Sequence, residues 1–481
     1  MRGDATPPNG RRTGGTVARW CLMLIRGARI FGTGHTDVRW HGGSITECGT
    51  GLRPLCGEDD IDARGGWLLP GLHDHHVHLR SLAAAADSLQ LGPPAVRTAD
   101  DLVAQLRHAD ATLPAGAWIR GVGYHESTAG ELDRWMLDRW ITERPVRIQH
   151  RSGALWTLNS RACAAVALER CAPAGVERDP DGRATGRLWR MDAWLGTRIA
   201  TRPNDLAAVS ARAAALGITG VTDATPALSQ TDIDDFADEV ARGRIRQRVH
   251  CMAPPAVTAS PIGRFSLGPT KILLDDTTLP PLDQFVARIR ESHTAHRPVA
   301  VHCVTRVQLI LTMIALDEAG VVPGDRIEHG AIVPVEAMAW LRAHGVPVVT
   351  QPHFLAERGD QYRHEVPDRD RADLWRLGSL LRAGVGVAAG TDAPFGSADP
   401  WRLVHAAVDP DSGRVAAERV SLRSAVSLFF GRPERPASPR TIAPGEVADL
   451  TLLAVPPEEV AATLPHPPIA ATVVHGQLIY G

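Results

Sequence analysis

Short apolar runs rich in β-branched residues recur along the chain, and most of them are separated by stretches with the spacing of amphipathic helices. These runs predict eight strands, at residues 67–69, 218–222, 248–252, 270–274, 299–303, 326–328, 347–350 and 385–389. Alternation of strand and helix is typical of a parallel sheet built from β-α units. Because eight such units close a TIM barrel, the pattern predicts an α/β fold with a (β/α)8 barrel over residues 67–431.

The two ends of the chain carry a different pattern. Residues 21–62 and 449–480 contain short strands divided by glycines, with no helical stretch of their own. Two such sets predict one small β-sandwich domain, formed by residues 20–66 and 432–481. Residues 1–19 are rich in Gly, Pro, Arg and Thr, and we expect them to form a disordered tail.

The interval between the first two predicted strands is too long for a single connection. It holds amphipathic helical stretches and a group of tryptophans: Trp118, Trp135, Trp140, Trp156, Trp189 and Trp194. We therefore predict a folded subdomain inserted after strand one, at about residues 90–205, that covers the barrel mouth. The alternative is a separate N-terminal domain.

Composition narrows the expected partners and compartment. A formal net charge of -2 leaves no basic excess, so neither nucleic acid nor an anionic membrane surface is expected as a partner. The apolar run at residues 20–25 is too short for a signal sequence or a membrane span. The seven cysteines are odd in number and form no CxxC pair, which favours a reducing, cytoplasmic location.

A histidine-rich segment, PGLHDHHVHL at residues 70–79, follows the first predicted strand. Side chains two positions apart on a strand share a face, so His76 and His78 could bind one metal through their imidazole nitrogens. His73 and His75 form a second pair of the same kind on the opposite face. Periodicity alone does not choose between the two pairs.

Residues that commonly bind metals also end three later predicted strands: His302 in VAVHC, His329 in RIEHG and Asp392 in AGTDA. Taken singly, each has a plain alternative. His302 could be a satisfied core histidine, His329 a partner of Glu328, and Asp392 the start of a turn. Because the carboxyl ends of barrel strands converge on one site, their recurrence at successive strands favours a metal centre.

Lys271, on the fourth predicted strand, is the only lysine in a chain with 52 lysine and arginine residues in total. A buried lysine can lose its proton and become an amine that adds carbon dioxide to form a carbamate, whereas arginine stays charged. The alternative is a chance survivor of an arginine-biased composition at an exposed position. Its place on a barrel strand favours the chemical role.

The motifs GLHDHHVHL, TKILLD, VAVHCV, RIEHG and AGTDAPFG resemble the amidohydrolase superfamily, specifically the amidohydrolase 3 (YtcJ-like) group that includes N-substituted formamide deformylases. APGEVADLTLL resembles the family's return into its β-domain, so the likeness covers nearly the whole chain. It implies the following metal-site residues: His76, His78, Lys271 as the bridging lysine, His302, His329 and Asp392.

This chain departs from the resemblance at two places. Gly153 and Ala154 stand where many relatives carry a Gly-His pair, which puts that substrate contact in doubt. Residues 303–306 replace the glycine and acidic residue that commonly follow the strand-five histidine, so the pocket wall there differs.

The resemblance implies hydrolysis of a non-peptide amide-type C–N bond, such as an N-formyl or N-acyl amide of a small molecule. Two divalent ions, zinc being the first expectation from the ligand types, would share a hydroxide that attacks the carbonyl carbon. A carbamate on Lys271, formed from carbon dioxide, would give one oxygen to each ion. Asp392 would accept the hydroxide proton and pass it to the leaving nitrogen, which makes Asp392 and Lys271 the expected catalytic residues.

Two other functions stay open. A mononuclear metal-dependent deaminase of a small heterocycle would use the same barrel, the HxH pair, a later histidine and the aspartate, but not Lys271. A catalytically silent barrel could bind a metal or a small ligand, since fold alone does not fix function. Every implied metal position nevertheless holds a competent ligand.

Candidate substrate contacts lie past the seventh strand, at Arg358, Asp360 and Tyr362, and in the insertion, at Arg151 and Trp156. The alternative for the charged residues is a solvated loop, and for the insertion it is ordinary subdomain packing. The exposed edges of the small β-domain are compatible with a homodimer.

Overall fold

The structure is a computed structural model that describes residues 22–30, 34–170, 174–199, 204–259, 263–409 and 416–481. The predicted tail, residues 1–19, lies outside them. Within the described residues, none of the helices is both long enough and apolar enough to cross a membrane.

Five strands open the described chain: β1 (Met23–Arg29), β2 (His35–His41), β3 (Ser44–Gly49), β4 (Asp59–Asp62) and β5 (Leu68–Pro70). The first four form one sheet, in the order β3-β2-β1-β4. β5 instead pairs antiparallel with residues 450–452 near the other end of the chain. The prediction that residues 67–69 form the first strand of the parallel sheet is therefore wrong, because an apolar run indicates a buried strand but not the sheet that it joins.

The first strand of the parallel sheets comes next, followed by the insertion. The elements are β6 (Leu72–Val77), α1 (Leu79–Ala86), β7 (Leu89–Gln90), α2 (Ala99–Thr112), β8 (Ile119–Tyr124), α3 (Glu126–Ala129), α4 (Arg134–Trp140), β9 (Val146–His150), β10 (Leu155–Leu158), α5 (Ser160–Ala165), β11 (Val176–Arg178), β12 (Ala184–Trp189) and α6 (Asp192–Gly196). Strands β7 to β12 form a six-stranded sheet of their own, in the order β11-β12-β10-β9-β8-β7. Two apolar clusters, one around Leu102 and one around Trp156, pack against it.

Strand and helix then alternate. The elements are α7 (Leu206–Ala215), β13 (Ile218–Asp223), α8 (Gln230–Ala241), β14 (Arg248–Cys251), β15 (Phe265–Leu267), β16 (Thr270–Ile272), α9 (Leu282–Thr294), β17 (Val299–Cys303), α10 (Arg306–Ala319), β18 (Arg326–His329), α11 (Val335–His344), β19 (Val348–Thr350), α12 (His353–Glu365), α13 (Asp368–Arg371), α14 (Leu377–Arg382) and β20 (Val387–Ala389).

These strands form two parallel sheets, ordered β15-β14-β13-β6 and β16-β17-β18-β19-β20. The fourth predicted strand, residues 270–274, is observed as β16, and Gly268 and Pro269 separate it from the additional strand β15, since proline has no N–H for a ladder. At the opposite edges, the backbone N–H of Asp392 donates to the carbonyl of His76 at 2.7 Å, and that of His78 donates to Ala393 at 2.9 Å. The chain segments that follow β20 and end β6 are thereby held together.

The last elements return to the terminal sheets: α15 (Pro400–Val408), α16 (Leu422–Ser427), β21 (Gly431–Arg432), β22 (Arg435–Pro439), β23 (Leu450–Leu453), α17 (Val460–Thr463), β24 (Ile469–Val474) and β25 (Gln477–Tyr480). β5 and the last three strands form a sheet in the order β25-β24-β23-β5. Residues from both ends of the chain, among them Trp40, Leu68 and Leu450, pack into one apolar cluster.

Candidate active site

His76, His78 and Asp392 form the tightest group of metal-ligating atoms at the carboxyl end of β6. Nε2 of His78 lies 3.2 Å from Oδ1 of Asp392, and Nε2 of His76 lies 3.6 Å from the same oxygen. The side chains are 1%, 12% and 9% exposed for His76, His78 and Asp392 respectively, so water screens their interactions weakly.

The other three predicted ligands surround this group. Nζ of Lys271 lies 3.5 Å from Nε2 of His76, and Nδ1 of His329 lies 3.9 Å from Oδ2 of Asp392. The His302 and His329 rings are 4.6 Å apart. Residues from β6, β16, β17, β18 and the turn after β20 therefore meet in one place, as expected of strand ends in parallel sheets.

The other histidine pair, His73 and His75, does not join this group. Nε2 of His73 bonds to the Thr222 hydroxyl at 2.9 Å, and the rings of His73 and His75 are 4.6 Å apart. Both residues are buried, and burial lowers the pKa of each imidazole well below its usual value. Among the described residues, it is His76 and His78 that share a potential ion-binding group with Asp392.

Hydrogen bonds at Nδ1 set the proton positions of the site histidines. Nδ1 of His76 faces the Glu328 carboxylate, and Nδ1 of His329 faces the amide oxygen of Gln351 at 2.9 Å. Since both partners are acceptors, Nδ1 carries the proton and Nε2 keeps its lone pair. Nδ1 of His78 faces the Thr225 hydroxyl at 3.3 Å, which can also accept. A metal-binding histidine needs this arrangement.

Asp392 supplies the test of whether a cation fits. Its buried Oδ1 has no hydrogen-bond partner, although Nε2 atoms of two histidines lie close to it. A carboxylate oxygen facing two lone pairs is electrostatically unfavourable unless a positive charge lies between them. The donor set of imidazole nitrogens and a carboxylate suits zinc, so the residues present fit a divalent metal ion.

The ionisation states agree with that fit. Burial lowers the pKa of His76, to about 3, and also lowers the pKa values of His302 and His329, so these imidazoles are neutral at pH 7. Burial opposes ionisation of Asp392, but attraction to His78, His76 and His329 whenever these rings carry a proton outweighs burial and lowers its pKa. Neutral imidazole and ionised carboxylate are the ligand forms that bind metal.

Lys271 is 5% exposed. Burial lowers the pKa of its ammonium group, against the opposing charges of Glu328 and Asp392. A lowered pKa increases the fraction of free amine, the form that can add carbon dioxide. The position next to His76 thus allows the chemistry predicted for this residue.

The backbone around the site is strained. Asp392 and His329 have φ values of +53° and +72°, in the left-handed region that non-glycine residues rarely adopt. Gly390, two residues before Asp392, approaches β6 closely, since a Cβ at this position would lie 2.5 Å from the backbone nitrogen of His76. Strain of this kind is often found at functional sites, where surrounding contacts hold a side chain in position.

Glu328 is a site residue that the sequence analysis did not include. It was an alternative partner for His329, but His329 bonds to Gln351, and Glu328 bonds instead to His76 and to Nε of Arg326, the latter at 2.6 Å. Burial raises the pKa of Glu328, but the charge of Arg326 and the contact with His76 outweigh it and lower the pKa. The sequence signal that could have identified Glu328 is its position directly before His329, a predicted metal ligand on the same strand.

The predicted substrate contacts divide into two groups. Arg358 and Tyr362 lie on α12, and Arg151 follows β9; the charges of both arginines act on the Tyr362 phenol, whose pKa is raised by burial. Trp156 lies apart from them in the apolar core of the insertion, where its indole donates to Asp192 at 2.8 Å. The Asp360 side chain lies outside the described part of the structure.

A second group of metal-ligating residue types, His125, Glu126 and His150, lies in the insertion. The Nδ1 atoms of its imidazoles face donors, whereas those of His76 and His329 face acceptors. Backbone N–H groups of Ser127 and Ser152 donate to Nδ1 of His125 and His150, each at 3.1 Å. A backbone N–H can only donate, so the ring proton lies on Nε2, which faces carboxylates.

Comparison with known proteins identifies what the chain is similar to. Residues 59–480 match the sequence profile of the amidohydrolase family. The putative amidohydrolase YtcJ of Bacillus subtilis is 24% identical over 88% of this chain and 90% of its own length. The N-substituted formamide deformylase of Arthrobacter pascens is 28% identical over a shorter match, 36% of this chain and 31% of that protein.

Solved structures share the fold at low sequence identity. An uncharacterized metal-dependent hydrolase from Pyrococcus furiosus superposes with a TM-score of 0.71 at 19% identity, covering 91% of this chain and all of that one. The atrazine chlorohydrolase TrzN from Arthrobacter aurescens, solved with zinc, has a TM-score of 0.54 at 16% identity, covering 95% of this chain and 94% of that one.

Proposed function

The chain belongs to the amidohydrolase family, whose members are metal-dependent hydrolases, and from that premise we propose that it hydrolyses a non-peptide amide-type C–N bond in an N-formyl or N-acyl amide. The observation that carries the proposal is the unpaired Oδ1 of Asp392, buried beside the Nε2 atoms of His76 and His78. We further propose that the two parallel sheets form one (β/α)8 barrel, with β15 and β16 sharing its fourth strand position, and that this barrel gathers these side chains at its carboxyl end.

Two divalent ions, zinc first, are the proposed cofactors. When bound, they would supply a water of lowered pKa and polarise the substrate carbonyl. His76 and His78 would hold one ion and His302 and His329 the other. Lys271, as a carbamate, would offer an oxygen to each, and Asp392 would complete the set. Zinc in the solved TrzN structure supports this choice of metal.

Asp392 is the proposed proton carrier. Its Oδ1 would accept the proton of the attacking water while a C–O bond forms at the carbonyl carbon. The same carboxyl would then donate that proton to the nitrogen as the C–N bond breaks, giving a carboxylic acid and an amine. The backbone N–H of Asp392 donates to the carbonyl of His76, and this bond holds Asp392 beside the histidines for both transfers.

One observation favours a second function. His76, His78 and Asp392 form a group that does not need Lys271, which is the set expected of a mononuclear deaminase. The decisive experiment measures metal per chain and the mass of Lys271 on protein loaded with zinc and bicarbonate, together with turnover of N-formyl, N-acyl and cyclic amides. Two equivalents, a carbamate mass and amide turnover support the hydrolase; one equivalent, an unmodified lysine and ammonia release from a heterocycle support the deaminase.

A further inference from the structure

Phe395 connects the metal-ligating group to two arginines. Its N–H donates to the carbonyl of Asp392 at 2.8 Å, and its ring lies edge-on to the His78 ring with centroids 5.3 Å apart. The ring also contacts Gly153, where an added Cβ would lie 2.4 Å from a ring carbon. Phe395 therefore contacts both the proposed reaction centre and the segment that carries Arg151.

Arg358 approaches Phe395 from α12. Its guanidinium donates to the Phe395 carbonyl and stacks on the Phe354 ring, with 4.2 Å from the guanidinium carbon to the ring centroid. The helix departs from helical geometry at this residue, where φ is -132°. These contacts fix the position of the guanidinium beside the Phe395 loop, and its charge also acts on the carboxyl of the neighbouring Glu357, whose pKa burial nevertheless raises.

Arg151 lies close enough to Arg358 for the two charges to interact. Burial, followed by the charge of Arg358, lowers the pKa of Arg151 to about 10, so both groups are still cations at pH 7. Nε of Arg151 is buried, and no described residue accepts a hydrogen bond from it. The nearby carboxylates have other partners: Glu365 contacts His125 and Gln361, and Glu126 contacts His150.

Two adjacent guanidiniums that repel each other, with donors left over, are stabilised by an anion between them. We propose that Arg151 and Arg358 bind a carboxylate of the substrate, so that the natural substrate is an N-acyl or N-formyl compound with an acidic group close to the scissile amide. This inference rests on the proposed function, because it places the amide at His78 and Asp392 and the carboxylate one phenyl ring away, beside Phe395. Tyr362, close to both arginines, could donate its hydroxyl to the same group.

The test compares an N-formyl α-amino acid with its neutral carboxamide on the zinc-loaded full-length enzyme. We expect kcat/KM to be about 10- to 100-fold higher for the acid, the range for a charged hydrogen bond. Arg151→Gln should remove most of that preference by raising KM for the acid, and Arg151→Lys, which keeps the charge, should restore part of it. Arg107→Gln, an exposed arginine on α2, is the matched control.

A binding measurement separates this inference from the hydrolase proposal. An N-sulfonyl amino acid has no scissile carbonyl, so calorimetry reports its affinity without turnover; we expect Arg151→Gln to weaken it by the same factor and Arg107→Gln to leave it unchanged. Equal turnover of acid and carboxamide, with no effect of Arg151→Gln, overturns the carboxylate site and leaves the hydrolase standing. No turnover of any amide, together with arginine-dependent binding of the sulfonyl compound, contradicts the proposed reaction and supports the anion site.

Discussion

The two histidine–carboxylate groups of this molecule have nearly the same composition and opposite chemistry. At the end of β6, Nδ1 of His76 faces a carboxylate and Nε2 keeps a lone pair directed toward Asp392. In the insertion, Nδ1 of His150 accepts a backbone N–H and Nε2 directs its proton toward Glu126 at 3.1 Å. The first arrangement directs two imidazole lone pairs and a carboxylate oxygen at one point, where a divalent cation fits, whereas the second pairs each Nε2 proton with a carboxylate.

Burial separates the two groups further. The Glu126 side chain is 40% exposed, against 9% for Asp392. The hydrogen bond from His150 lowers the pKa of Glu126 to about 2, so its carboxylate is ionised and engaged at pH 7. Residue types within ion-binding distance are therefore a weak indication of a metal site, and the partner of the second ring nitrogen is a stronger one.

The largest expected effect is at Lys271. Lys271→Ala should reduce amide hydrolysis to background and lower the bound metal from two equivalents to one or none, as measured by turnover and elemental analysis. Short carboxylates such as formate or acetate should restore part of the activity by replacing the carbamate oxygens. Lys271→Arg keeps the positive charge but cannot form a carbamate, so we expect the same loss. Full activity and metal content in Lys271→Ala would contradict the carbamate.

A smaller effect is expected at Glu328. Glu328→Gln replaces the carboxylate that fixes the His76 ring with an amide, and should weaken metal binding and activity by about 10- to 100-fold. The matched variant in the other group is Glu126→Gln, whose metal affinity should equal that of the wild type. Competition with a chromogenic chelator measures both affinities. Equal losses of metal affinity in Glu328→Gln and Glu126→Gln would contradict the proposal that only the first group binds a metal ion.

Metal removal should lower the free energy of unfolding because it empties the site at His76, His78 and Asp392, and the insertion group should make no contribution. Binding of an ion to the folded state at 1,000 times its Kd adds about 4 kcal/mol to the free energy of unfolding. We therefore expect chelation to lower the Tm of the wild type by several degrees and to leave that of Asp392→Asn nearly unchanged. A Tm that does not respond to chelation in the wild type would speak against a structural contribution of bound metal.

The smallest effect is expected at His150. His150→Ala removes one member of the insertion group, and we predict less than about 2-fold change in metal content and in kcat on a neutral amide, because Nε2 of this ring carries a proton. Elemental analysis of the purified variant provides the measurement. Loss of one metal equivalent in this variant would mean that the insertion group binds an ion.

The amino-acid sequence determined the ligand types and their strand positions. HxH after an early strand, the single lysine and the ligands that end later strands follow from alternation and from the convergence of strand ends. The family match over residues 59–480 confirms the recognition that these motifs allowed. The sequence did not place Leu68 in the terminal sheet or His73 inside β6, because a strand pattern does not specify a pairing partner.

Only the tertiary structure decided which nitrogen of each ring is available. The partners of Nδ1 come from β18, from the residue after β19 and from the segment after β13, or from a backbone N–H two residues away, and no local pattern distinguishes these cases. The arginine pair beside Phe395 likewise joins α12 to a segment more than 200 positions earlier. Sequence fixes which groups a chain possesses, but hydrogen bonding and burial depend on distances in space, and these set the protonation and charge that make a group reactive.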